Sequence, residues 1–148
     1  MEIRAELILF AKAFPAEDVF AEIGINAGCI DISDETIYKT IAGDDFKKEQ
    51  ECSISYSTQA LNKIQVVDVL NDMCNILGDK VPIIKSAIEK YKLTAKICIT
   101  LNLTDEPEIV FTQEFIQMAA FLGCSIEVDS YLNIDKTIEY DDSDLDKV

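Results

Sequence analysis

Between Phe111 and Tyr131 the hydrophobic period of the chain switches once, from that of a helix to that of a strand, and the switch falls at Gly123. Thr112 can cap a helix, with Phe111 just outside it as a staple partner. Phe115, Met118, Ala119 and Leu122 follow at helical spacing on one face. Gly123 supplies the left-handed residue that ends a helix. Beyond it Cys124, Ile126 and Val128 point one way, and Ser125, Glu127 and Asp129 the other. A capped helix that feeds directly into an alternating strand confines the chain to folds in which helix and sheet share a core. The pattern predicts that Phe115, Met118, Leu122, Ile126 and Val128 are core, while Glu114, Glu127 and Asp129 face solvent.

The same two periods recur along the rest of the chain. Ala5 to Ala13 carries apolar residues on both faces and reads as a central strand. Pro15 suits the first turn of a helix, which carries Val19, Phe20 and Ile23 and stops at Gly24. Cys29 to Ile32 and Cys52 to Ser57 alternate as strands, with a weaker signal from Ser33 to Gln50 and a turn at Gly43-Asp44-Asp45. Ile64, Val67, Leu70, Cys74 and Leu77 mark the stripe of the longest helix. A second helical segment after Pro82 has Val81, Ile84, Ile88 and Tyr91 on its stripe, and Leu93 to Thr104 alternates again. Asp105-Glu106-Pro107 is a turn, and Leu132 to Tyr140 has the pattern of one more edge element. The order predicts an α+β fold, a mostly antiparallel sheet with helices packed on one face. Gly28 to Ile32 and Gly123 to Asp129 each follow a short helix introduced by a Phe, which suggests two ferredoxin-like β-α-β halves. Residues 1–132 form the single domain, and residues 133–148 an acidic, frayed C-terminal extension.

With 148 residues and 49% apolar side chains, the chain can bury a sizeable core. Its N-terminus lacks the pattern of a signal peptide and no run approaches a membrane span, which places it in a cytoplasm. The five cysteines, Cys29, Cys52, Cys74, Cys98 and Cys124, lack metal-site spacing and read as small buried hydrophobes in a reducing compartment. The aromatic residues Phe10, Phe14, Phe20, Phe115 and Phe121 read as packing.

The helical block Leu70 to Leu93, a strand, a Pro-containing turn and then Phe111 to Tyr131 resemble the bacterial proteins grouped as domain of unknown function 4279. The most specific part is Glu114 after the cap, the apolar helix, and the ending Ile126, Asp129 and Tyr131. Phe14-Pro15-Ala16-Glu17 and Gly24-Ile25 are also similar. The chain departs from the family pattern at Asn26-Ala27, where Pro-Thr is frequent, and in having no Trp. The resemblance implies the fold order and brings no activity or catalytic residue with it.

The chain has no histidine, which removes nucleophile–histidine pairs and His metal ligands. It has neither a GxGxxG nor a P-loop motif. No cofactor, metal or catalytic residue is expected, and the protein reads as a non-enzyme. Glu127 and Asp129 share a strand face with the spacing to hold a hard cation or serve as an acid–base pair, but read first as the solvent-facing side of a half-buried strand. Asp142, Asp144 and Asp146 begin like a calcium loop but lack its turn glycine and terminal Glu.

The net charge of −15 disfavours direct binding to nucleic acid or to an acidic membrane and favours a basic protein partner. The charge is unevenly patterned. Lys80, Lys85, Lys90, Lys92 and Lys96 lie close together, whereas residues 97–135 contain no Lys or Arg. Asp105, Glu106, Glu108, Glu114, Glu127, Asp129 and Asp135 all fall in that second stretch and are the candidate partner-binding residues. The expected function is that of a non-catalytic acidic binding protein, of the immunity-protein or inhibitor kind. The alternative is a small-molecule sensing module with a pocket between the sheet and the long helix.

Overall fold

Side chains on β1, Glu2–Ala11, alternate between complete burial and partial exposure, and the whole molecule is layered around that alternation. Ile3, Ala5, Leu7 and Leu9 are fully buried. The computed structural model describes residues 2–33, 37–39, 45–47, 51–60, 65–103 and 108–132. Within them β1 is followed by α1, Ala16–Ile23, and β2, Gly28–Ser33. The short strands β3, Ile37–Lys39, and β4, Asp45–Lys47, form a separate two-stranded sheet where the sequence signal is weak. Next come β5, Glu51–Ala60, then α2, Val66–Leu77, and α3, Val81–Tyr91, joined by a single tight turn at Gly78–Lys80. The chain continues with β6, Thr94–Leu103, α4, Gln113–Leu122, and β7, Ser125–Leu132.

The main sheet has the order β2-β5-β1-β6-β7, with β1 at its centre. The β2–β5, β5–β1 and β1–β6 ladders are antiparallel, and β6–β7 is parallel. The α+β class and the mostly antiparallel sheet follow the sequence pattern.

The ferredoxin-like arrangement occurs once, with different partners from those the repeat suggests. β1 and β2 are parallel with β5 between them, and β5 and β6 are parallel with β1 between them. Two split β-α-β units therefore interlock into one β-α-β-β-α-β core. The unit β6-α4-β7 joins adjacent strands and extends that core at one edge, so it is not equivalent to β1-α1-β2.

The four α-helices of the described residues lie on one face. α2 covers β1 and β5, α1 lies over β5 and β2, and α3 packs between α1 and α4. Buried side chains of α2 (Val66, Val69, Leu70, Met73, Cys74, Leu77) meet Leu7, Ile54, Tyr56, Ile97 and Ile99 of the sheet in one core. Phe115, Met118, Ala119 and Leu122 join it from α4. The stripe of α2 is rotated from the spacing expected, with Val66 and Val69 buried and Val67 at its margin.

Helix cover is complete over the middle strands and runs out at the sheet margins. Ile32 on β2 is 46% exposed, and Ile126 and Val128 on β7 are 37% and 41% exposed. Ile126 and Val128 point to the helix side, opposite Ile97 and Ile99, but they are not core as the alternation predicts. A period of two fixes the side of the sheet a residue faces, not whether a helix reaches over it. Phe121 is likewise exposed at 52%, beneath the ammonium of Lys85, and Phe10 lies on the helix-free face. Among the cysteines, Cys52 and Cys74 are buried, Cys98 and Cys124 half-buried and Cys29 exposed; all five are free thiols. The Gly43-Asp44 turn, the segment after Leu132 and the acidic extension lie outside the described residues.

Candidate functional site

Among the described residues no helix covers the second face of the main sheet, and the strand registers define what that face displays. β1 contributes Glu2, Arg4, Glu6, Ile8 and Phe10, and β5 contributes Glu51, Ser53, Ser55 and Ser57. Opposite them stand Cys29 and Asp31 of β2. On the other side come Thr94, Lys96, Cys98, Thr100 and Asn102 of β6, then Ser125, Glu127, Asp129 and Tyr131 of β7. These positions alternate with the buried ones, so the polarity of this face follows from the same period that builds the core.

Two side-chain clusters order the surface. Arg4 Nη2 donates to Glu6 Oε2 at 2.6 Å and to Ser57 Oγ at 3.2 Å, and Ser57 Oγ donates to Glu6 Oε2 at 2.7 Å. On β6 and β7, Lys96 Nζ stands 3.7 Å from Glu127 Oε2 and 5.6 Å from the centroid of the Phe10 ring. Cys98 Sγ donates to the same Glu127 oxygen at 3.6 Å. The Cys98 thiol is pushed up by burial and further by Glu127, while Lys96 acts in the opposite direction. Beside Lys96 and towards β2, the side chains of Ile8, Phe10, Asp31, Glu51, Ser53 and Lys96 line a depression of about 300 Å³. It lies on the open face, not between the sheet and the long helix where a sensing pocket is expected.

The candidate carboxylates divide between the two layers. Glu127 and Asp129 are on the open face, opposite Cys98 and Thr100. Glu114 is in the first turn of α4, on the helix side, close enough to Cys74 of α2 to raise that thiol, after burial as the larger cause. Glu108 is exposed in the segment before α4. Asp105, Glu106 and Asp135 lie outside the described residues. The sheet therefore separates residues that a sequence plot groups as one stretch. It adds Glu2, Glu6, Asp31 and Glu51 to the face of Glu127 and Asp129, carboxylates from β1, β2 and β5 that only the strand order brings together. Alternation in β5 carries the signal for its side of the sheet, whereas Leu7 to Phe10 of β1 is apolar on both faces; the neighbours of both strands depend on long-range pairing.

The lysine cluster divides too. Lys80, Lys85, Lys90 and Lys92 lie in or next to α3 on the helical layer, and Lys96 alone reaches the open face. No helix among the described residues is long and apolar enough to cross a membrane.

Fold and surface together define an α+β protein with a single ferredoxin-like core and an open sheet face of mixed polar character. The family model described as Domain of unknown function (DUF4279) matches residues 1–133, and the chain belongs to that family. No curated protein and no solved structure matches it.

Proposed function

We propose that this protein is a non-catalytic acidic binding protein that docks a basic protein partner on its open sheet face. The supporting observation is the charge of that face. Among the described strand positions it carries six carboxylates, Glu2, Glu6, Asp31, Glu51, Glu127 and Asp129, against two cations, Arg4 and Lys96. Both cations already stand within ion-pair distance of a carboxylate of the same face. Such a surface attracts a basic partner from a distance and orients it on approach. Nuclease-type toxins and nucleic-acid-handling proteins have the complementary charge, so immunity or inhibition in a bacterium or its phage is the concrete form of this reading. Binding is expected to weaken steeply with salt, because exposed charges are screened over about 8 Å at physiological ionic strength.

The test is affinity purification of the intact protein from a native lysate at low and high salt. A basic protein retained at low salt, released at high salt, and lost from an Asp31→Asn/Glu127→Gln/Asp129→Asn variant supports the proposal. The absence of any salt-sensitive partner overturns it.

A further inference from the structure

The outermost strand β7 is unlike the other strands of the sheet. Every described side chain from Ser125 to Tyr131 is exposed, on both faces. Among the described residues nothing pairs with its outer edge. Exposed edges are ordinarily blunted by lysine, proline or a bulge, because an unpaired row of N–H and C=O groups is a template for another strand. β7 contains neither Lys nor Pro, its two charged side chains, Glu127 and Asp129, are both acidic and admit a basic strand, and its ladder to β6 runs without a bulge from Lys96↔Ser125 to Leu103↔Leu132. Three of the large apolar side chains exposed among the described residues, Ile126, Val128 and Tyr131, are on this one strand.

We infer that β7 is a strand-addition site that receives an extended segment of a partner protein in which basic and apolar residues alternate. Main-chain hydrogen bonds to the outer edge of β7 would supply affinity, and alternating side chains specificity. The two faces of β7 dictate the alternation. Glu127 and Asp129 face the open side, where a basic side chain on an added strand is directly opposite or diagonal to them. Ile126 and Val128 face the helix side, where an apolar side chain covers surface that the helices leave open. Charge selects the occupant. A second copy of β7 would set carboxylates against carboxylates. Residues 133–148 of this chain carry six acidic residues against two lysines and are disfavoured for the same reason.

This inference rests on the proposed basic partner and specifies how it binds. The test uses the full chain and two synthetic peptides of the same length as β7 and the same Lys and Val content. One alternates Lys with Val; the other has them in two blocks. Fluorescence anisotropy reads affinity, and amide hydrogen exchange reads β7. The alternating peptide is expected to bind roughly tenfold tighter than the block isomer, to slow exchange along β7, and to lose that advantage with Glu127→Gln/Asp129→Asn. Equal binding of both peptides without protection of β7 overturns strand addition and leaves the acidic docking face standing. Failure of both peptides and of every basic protein to bind removes the underlying reading as well. Slow exchange at every β7 amide in the free protein shows that the chain already fills its own edge, and also overturns the inference.

Discussion

The rings of Phe20 and Tyr56 lie nearly parallel, with 6.0 Å between centroids and 9° between planes, and the backbone of Gly28 closes against both. A methyl group at Gly28 would stand 2.7 Å from each ring. This contact joins α1 to β5 across β2, where helix cover of the sheet begins to thin.

Gly28→Ala is therefore expected to destabilise the protein. Replacing a strand glycine by alanine normally gains about 0.5–1 kcal/mol through backbone entropy. Forcing a methyl into a packed stack costs about 1–3 kcal/mol, and that cost prevails. Urea denaturation gives the sign: a midpoint at or above that of the wild type would show that the rings move aside freely.

Tyr56 is 3% exposed, and its hydroxyl has no hydrogen-bond partner among the described residues. Burial pushes its phenol from 10.0 up to about 12. An unsatisfied buried hydroxyl costs about 1–3 kcal/mol, so Tyr56→Phe should stabilise the fold by about 1 kcal/mol while keeping the stack with Phe20. The same substitution alters the alkaline limb of stability. Below pH 10 folded and unfolded chains both hold the phenolic proton. Between pH 10 and about 12 the unfolded chain releases it first and is favoured, so this contribution to stability is lost as pH rises. The slope is at most about 1.4 kcal/mol per pH unit. Denaturation midpoints between about pH 9 and about pH 12 should fall less steeply for Tyr56→Phe. Parallel curves for the two proteins would refute the assignment.

Much of this architecture is legible in the sequence, for physical reasons that also mark where legibility stops. Thr112 accepts a hydrogen bond from the N–H of Phe115 at 3.2 Å, and Gly123 takes φ 70°, as the local pattern requires. Both ends of α4 are set by residues within one turn, so sequence spacing suffices. Ile126 and Val128 are different. Their alternation gives the correct side of the sheet, but their exposure depends on the distance from β7 to the nearest helix, a tertiary quantity. The acidic face is non-local in the same way. Asp31 and Glu127 share it only because β5, β1 and β6 lie between their strands. Glu114, only thirteen residues before Glu127 in the sequence, lies on the opposite layer.

Lys92 is the one described non-glycine residue with positive φ, at 53°, where it closes α3 through a backbone hydrogen bond to Ile88. The left-handed region costs an L-residue about 1 kcal/mol, whereas glycine enters it freely. Lys92→Gly should stabilise the protein by several tenths of a kcal/mol to about 1 kcal/mol, the gain being reduced by the greater entropy of glycine in the unfolded chain. Lys92→Ala removes the same charge without relieving the backbone and is the control. Equal midpoints for the Gly and Ala variants would mean that the conformation carries no strain.

The thiols report the β6–β7 register directly. Cys29 is exposed on β2, whereas Cys52 and Cys74 are buried. Burial pushes Cys124 up to about 11, and Cys98 is raised by burial and by the Glu127 carboxylate 3.6 Å away. Since the thiolate is the nucleophile, maleimide labelling of the native protein at neutral pH should reach Cys29 first, with Cys98 well behind it. Glu127→Gln removes the charge that opposes the Cys98 thiolate while Lys96 still favours it, so Cys98 should then label several-fold faster. Asp129→Asn, one position along the same face and opposite Thr100, should leave that rate almost unchanged. Site-resolved mass spectrometry of a labelling time course separates the five sites. Acceleration by Asp129→Asn and not by Glu127→Gln would require β7 to be shifted by two residues along β6, which would also move the acidic pair that the proposed partner is expected to meet.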